Sequence, residues 1–590
     1  MIHRLIKTTL LVSAYVFICS NLAAQTINEI EITGNNDFST SKYLSWISPQ
    51  NLKYENSTLD SIKNRIARSL TNRGYYNFRF DAFTHDITSD SQFVNYSIVI
   101  NEGEPTYIND IIISNLDSLD LEIANESFEN IKGSIFIVDE LEFSFSELLD
   151  HFENSGFPFV SINVESTYFF YNSTNDENLV DLYVSFSKNQ ISTIDTIEIV
   201  GNTRTKDYVI ERTLRLKKGE VYSQDKIDKI PTKLNRLHFF EPVETPVYYF
   251  NQKDKGVLQV KVKEIGTNSF DGIIGYIPPA DDNESGYLTG LANIKLRNLF
   301  GTGRAMAFRW NKIDRYSQEI ELKYLEPWIF ELPLNVDLLL FQRQQDSSYV
   351  QRLLSGNLEF LATESMSAAL IFSQEYTIPS DPDTRGFTVY NSTSLVSGAN
   401  LKIDTRDALL VPTSGLFFLN SYKYRSKNIN GPAEYIPDSM NTSPDQYCVE
   451  LDFVVHYKIF SRQVPTIGLH IRELRGDNIE VSDMYRFGGT NTLRGYRENQ
   501  FAGNRLLWTN LEYRYLLGRQ SYAFLFTDIG YYLRDSLPSL GLPETSAVKV
   551  GYGLGITFET ALGLLGVSYA LASGDSFNNG LIHFGIIGEF

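Results

Sequence analysis

The sequence predicts an array of three small α+β modules followed by an all-β antiparallel transmembrane β-barrel of about 16 strands. Three observations carry this. A strand–helix–helix–strand–strand pattern recurs three times up to about Ile265. From about Gly266 the hydrophobic period falls to two. The chain opens with an export signature, yet no later stretch is long and apolar enough for a membrane helix. The expected boundaries are a signal peptide at 1–24, modules at 25–103, 104–190 and 191–265, and a barrel at 266–590.

The signal is "MIHRLIKTTLLVSAYVFICSNLAAQ". Arg4 and Lys7 form a basic start, Thr8 to Cys19 an apolar core, and Leu22-Ala23-Ala24 a small-residue cleavage site. The apolar run is short for a span of ~20 residues. Removing Cys19 leaves Cys448 without an intramolecular partner.

Each module begins with a short strand. In the first, "INEIEITGNN" turns at Gly34-Asn35, and Leu59, Ile62, Ile66 and Leu70 then share a helix face. Ser57 with Asp60 reads as a capping start and Gly74 as a stop. The second module carries Leu141, Phe145, Leu148 and Phe152 on its later helix, which ends at Gly156. The third opens with "IDTIEIVGNTRTKDYVIERTL" and groups Ile227, Ile230, Leu234 and Leu237. Pro231 falls inside that helix, where an interior proline costs ~3 kcal/mol, so a kink or late start is expected.

In the second half, "QYCVELDFVVHYK" places Tyr447, Val449, Leu451, Phe453, Val455 and Tyr457 on one face and mostly polar residues on the other. "QEIELKYLE" and "LTGLANIKLR" alternate likewise. A soluble sandwich also alternates. Repeated charge on the second face, aromatics at strand ends and export favour a membrane barrel, apolar toward lipid and polar toward the lumen.

The charge of −20, from 52 basic and 72 acidic residues, argues against a nucleic-acid partner. The 7 histidines are scattered and suggest no metal cluster. Phosphate-loop, nucleophile-elbow and zinc spacings are not found, so no enzyme and no cofactor are expected. "DPD" and "DDNE" read as solvated loops.

"IEIVGNTRTKDYVIERTL" resembles the polypeptide-transport-associated (POTRA) module of the BamA/TamA outer-membrane assembly family, and "RLHFFEPV" behind it fits as well. The second half is similar to the same family. "NLFGTGR", "YLEPWIF", "DTRDALLVPTSGLFF", "LRGY" and "FTDIG" follow the family's order, with Leu493 where Val or Ile is usual.

The most specific piece is Arg494-Gly495-Tyr496, in the loop between candidate strands eleven and twelve. By spacing alone, Arg494 reads as an ordinary external-loop arginine. The resemblance implies that this loop folds back into the barrel and that its arginine meets an acidic and an aromatic residue on the thirteenth strand. Phe526 and Asp528 are the residues available in "SYAFLFTDIGYY", since a carboxylate does not face lipid.

The last residues, "LIHFGIIGEF", resemble a C-terminal strand signal, with His583, Gly585 and Phe590. Gly272, Gly275 and Gly588 mark an expected weak seam between first and last strands. The resemblance implies a factor, TamA-like from its three modules, that inserts or translocates outer-membrane proteins. Its clients would be unfolded outer-membrane proteins, its partner a TamB-like periplasmic protein, and its surroundings membrane lipids. The location would be the outer membrane of a Gram-negative bacterium, with the modules in the periplasm. A two-partner secretion transporter is the alternative, and a passive porin ranks below both.

Overall fold

The computed structural model describes residues 26–587 apart from 50–57, 89–92, 279–284, 313, 347, 381–386, 519 and 561–562. The export signal, Ser57, the "DPD" and "DDNE" segments, Gly588 and Phe590 lie outside the described residues.

The first module runs Thr26–Thr33, helices Thr40–Ile47 and Thr58–Thr71, then strands Arg79–Ile87 and Phe93–Asn101. The first and last strands pair in parallel, with the middle one antiparallel to the last. Ile62, Ile66 and Leu70 are fully buried against Tyr43 and Ile98, as their spacing on one helix face requires. The second module repeats the order with Thr106–Ser114, Ser118–Glu129, Val138–Asn154, Ser161–Asn172 and Glu177–Ser187. Leu141, Leu148 and Phe152 pack there on Val180 and Leu182.

A recurring device closes the turn after each module's first strand. Gly34 has φ +82°, and a Cβ there would overlap the Ile100 carbonyl oxygen. The N–H groups of Asn36 and Asp37 beyond it donate to Glu102 at 2.7 and 2.6 Å, as does the Tyr43 hydroxyl at 2.7 Å. In the third module Gly201 meets Val262 in the same way, and Glu264 accepts from the N–H of Thr205 at 2.6 Å and of Arg204 at 3.0 Å. The middle module inverts the charge. Asn115 takes the left-handed turn position, and Lys188 reaches Asp120 and Asp117. Each solution satisfies the turn or the helix start with an ionised group.

In the third module the later helix is split, Gln224–Asp228 and Ile230–Asn235. Pro231 sits at the start of the second piece, where its missing N–H breaks no helical bond. Residues 197–216, 228–247 and those from Leu258 onward form one compact unit. Within it, basic side chains of the module bind carbonyls on barrel turns. Arg212 donates to Thr302 O at 2.9 Å, Arg215 to Leu361 O at 3.2 Å and Arg236 to Arg406 O at 2.8 Å. Lys233 pairs with Glu364 at 2.7 Å.

The barrel is an antiparallel sheet of sixteen strands, each bonded to the next. They include the first, Ser269–Ile277; ninth, Gly415–Gly431; eleventh, Gln463–Gly476; twelfth, Arg505–Gly518; thirteenth, Ser521–Arg534; fourteenth, Thr545–Thr560; fifteenth, Gly563–Ala572; and sixteenth, Leu581–Ile587. Leu338, Leu354, Phe360 and Phe372 face outward and exposed, while Cys448 and Gln446 face inward and buried. The chain is thus α+β modules joined to an all-β barrel. Among the described residues, the first and sixteenth strands share no ladder.

Burial works against the charge of Glu264, but the bonds donated by Thr205, Thr203 and Arg204 outweigh it and hold its pKa down to about 2. A lowered folded pKa contributes stability above the unfolded value, 4.5, and that stability is lost as pH falls toward 2. Exchange protection of the Arg204 and Thr205 amides, corrected for intrinsic rates, is therefore expected to fall across this window. Glu264→Gln should flatten the dependence; an unchanged slope in that variant would place the acid sensitivity elsewhere.

Candidate functional site: a loop pinned inside the barrel

Residues 477–504 join the eleventh and twelfth strands. They form a hairpin inside the lumen, with Tyr485–Phe487 paired to Phe501–Gly503. Gly489 N–H donates to Leu493 O at 3.0 Å and closes the tip. Phe487 and Leu493 are fully buried and pack with Trp508 and Leu506 of the twelfth strand.

Arg494 follows the tip. Its Nε and Nη2 each lie 2.8 Å from the two oxygens of Asp528, and its own N–H donates to Oδ2 at 3.0 Å. Asn510 adds a bond to Oδ1 at 2.7 Å and holds Thr492 O at 3.0 Å. Asp528 is completely buried, and these four bonds fill its acceptor sites. Arg494 Nη1 reaches Glu512 at 2.7 Å, and Glu512 also takes Arg514 at 2.7 Å. The cluster therefore balances two cations against two carboxylates. The guanidinium lies 3.7 Å from the Phe526 ring centroid. Tyr496 stacks edge-on with Phe501 at 5.3 Å, and its hydroxyl donates to Val550 O at 3.3 Å.

Period two on the thirteenth strand points Phe524, Phe526 and Asp528 inward. Opposite them on the fourteenth strand stand Gly555, Gly553 and Gly551. A Cβ at Gly551 would overlap the Arg494 carbonyl oxygen, and at Gly555 it would overlap the Phe524 ring. A Cβ at Gly530 would overlap Phe487. These strand glycines leave the volume that the loop and its aromatic neighbours occupy. Gly495 has φ +91°, and a Cβ there would overlap the Leu571 carbonyl of the fifteenth strand.

The loop's root is held on the opposite wall. Lys427 of the ninth strand is fully buried and reaches Glu480 at 2.7 Å and Asp483 at 2.6 Å. Glu480 also accepts the Tyr390 N–H at 2.6 Å. Arg425 also lies 3.4 Å from Asp483, and Arg486 donates to the Tyr349 hydroxyl at 3.0 Å. The hairpin therefore crosses the lumen.

Sequence reasoning singled out Arg494, Gly495, Tyr496, Phe526 and Asp528, and the structure places them together. It missed Glu512, Asn510, and the Lys427 clamp with Glu480 and Asp483. The alternating glycines of "VGYGLGIT" were a readable signal of a crowded inner wall. Nothing in the charge pattern marked Lys427. The seam glycines Gly272 and Gly275 lie on the first strand, and Gly585 on the sixteenth. His583 is also on the sixteenth strand and faces inward, 7% exposed.

An antiparallel barrel sheet with an infolded loop, preceded by POTRA-like modules, defines a two-part class of barrel protein. The chain belongs to the Omp85 superfamily. The Omp85 superfamily domain matches residues 298–590, and the surface antigen variable number repeat (POTRA) matches 25–103 and 192–264. The chain is 22% identical over 556 residues to the outer membrane protein assembly factor BamA of Nitratidesulfovibrio vulgaris, covering 86% of this chain and 65% of that one. It thus spans somewhat under two thirds of that relative's length. The solved BamA of Haemophilus ducreyi lacking POTRA domains 1–3 aligns with a TM-score of 0.49 at 18% identity, over 81% of this chain and 98% of the other. CdiB of Acinetobacter baumannii aligns at 0.44 and 14% identity, over 91% and 96%.

Removing one partner of a buried ion pair costs about 3–5 kcal/mol. Arg494→Ala and Asp528→Ala should each lower barrel stability in guanidinium by about that amount. Because they share one interaction, the double variant should be little worse than either single one. Additive losses would mean that the two side chains do not act as a unit.

Proposed function

We propose that the chain is an outer-membrane protein assembly factor that receives unfolded barrel proteins through its modules and templates their strands at the barrel seam. The barrel lies in the outer membrane, with the modules in the periplasm. The observation that carries the reading is the pair of strands at the ends of the sheet, first and sixteenth, which share no ladder among the described residues. An open edge offers a row of donors and acceptors to an incoming strand. The glycines Gly272, Gly275 and Gly585 leave little side-chain packing to oppose separation.

Three modules favour a TamA-like subtype working with a TamB-like periplasmic partner, and membrane lipids meet the exposed outer face. The loop across the lumen, held at both walls, weighs against export through the pore and so against the two-partner secretion reading.

A covalent clamp tests this. Cys448, a buried free thiol, is first replaced by Ser. Cysteine pairs are then scanned between Gly272–Ile277 and Leu581–Ile587, keeping those that form a bridge, which requires Cα atoms within ~7 Å. The clamped protein is expected to reach the membrane and stay heat-modifiable, yet lose assembly activity until reductant is added. Full activity with the bridge formed would remove the seam from the mechanism.

A further inference from the structure

The loop tip also touches the strand that ends the sheet. The Gly495 N–H donates to Nε2 of His583 at 3.0 Å, and Nδ1 of the same ring lies 3.4 Å from Thr490 Oγ1. An acceptor at Nε2 fixes the neutral tautomer with its proton on Nδ1, directed at Thr490. The ring thus bridges two points of the hairpin. Its neighbours Ile582 and Phe584 face outward, 74% and 58% exposed, so His583 is the side chain this stretch turns to the lumen. Two residues on, a Cβ at Gly585 would sit 3.7 Å from Thr490 Cγ2, so the hairpin also passes over that point of the strand.

The sixteenth strand is held to the sheet by one ladder, from Leu564–Ile587 to Ala570–Leu581. On its other side the described residues show no strand. The hydrogen bond from the loop therefore adds a second attachment for this strand beside its ladder. We propose that His583 is a positioning residue that latches the last barrel strand to the pinned loop. Arg494 fixes the loop against Asp528 and Glu512, the loop presents the Gly495 N–H, and His583 receives it. Release of the loop then frees the seam edge.

The proposal rests on the seam reading above, and hydrogen exchange separates the two. Exchange of the 581–587 backbone is followed in the full chain in nanodiscs. His583→Leu should speed it about tenfold, the weight of one buried hydrogen bond, while the ninth strand stays unchanged. His583→Gln places an amide oxygen near the Nε2 position and should keep wild-type exchange. Arg494→Ala, far from this strand's own ladder, should also speed exchange, and the Arg494→Ala/His583→Leu chain should be no faster than the faster single variant. Wild-type exchange in His583→Leu, equal acceleration in His583→Gln, or additive effects in the double variant would each overturn the latch. Should His583→Leu fail to become heat-modifiable, Arg494→Ala decides: no acceleration at 581–587 overturns it. Assembly is measured on the same chains. Fast exchange with assembly retained would sink the seam reading and leave the latch standing.

Discussion

A single buried cation organises the far side of this barrel. Arg494 is carried into the lumen on a hairpin and placed between two carboxylates, Asp528 and Glu512. Desolvating a charge is costly unless its partners are close and its donors used. Here the guanidinium meets both carboxylates and a ring face, and Arg514 balances the second carboxylate. The geometry demands space, which explains why the wall opposite Phe524, Phe526 and Asp528 is glycine at every inward position. The twelfth to sixteenth strands all contribute a surface to this tip, so their inner faces are fixed by one side chain's needs.

The same logic recurs elsewhere with other ions. Lys427 pins the loop's root with Glu480 and Asp483. In the first and third modules a glutamate collects the backbone donors of a Gly-Asn turn, and in the middle module a lysine pairs with aspartates of the neighbouring helix start. Polar backbone or charged groups that leave water are met by a fixed counter-group from a distant part of the chain. Ion pairs of this kind add little net stability over apolar packing, but their geometry admits few alternatives, and so they select one path for a long loop.

Much of the fold was legible because it follows from period and composition. The helix faces of Ile62, Ile66 and Leu70, and the inward set Phe524, Phe526 and Asp528, come straight from 3.6 and 2 residues per repeat. Pro231 was read as a helix problem, and the chain resolves it by ending one helix before the proline and restarting. The loop's fate was not legible from spacing. Whether Arg494 turns outward or inward depends on Glu512, Asn510 and the glycine wall, which meet it only once strands twelve to fourteen pair in register. Lys427 was invisible for the same reason: a lysine on a strand's polar face looks alike whether it meets water or Glu480. His583 was read as part of a terminal signal, and only the folded loop gives its ring a partner.

The pinned loop and the end of the sheet belong to one physical problem. In hydrocarbon, each unsatisfied backbone group costs several kcal/mol, so a barrel normally closes its first and last strands on each other. In this chain those strands have no shared ladder among the described residues, and the last is secured instead by its one neighbour and by an imidazole bonded to the loop. A strand held in this way is ordered from the lumen side as well as by its neighbour. The loop supplies from the lumen side some of the order that ladder pairing supplies elsewhere. On the assembly reading, that arrangement lets an edge remain ordered enough to template a client strand while staying chemically open to one.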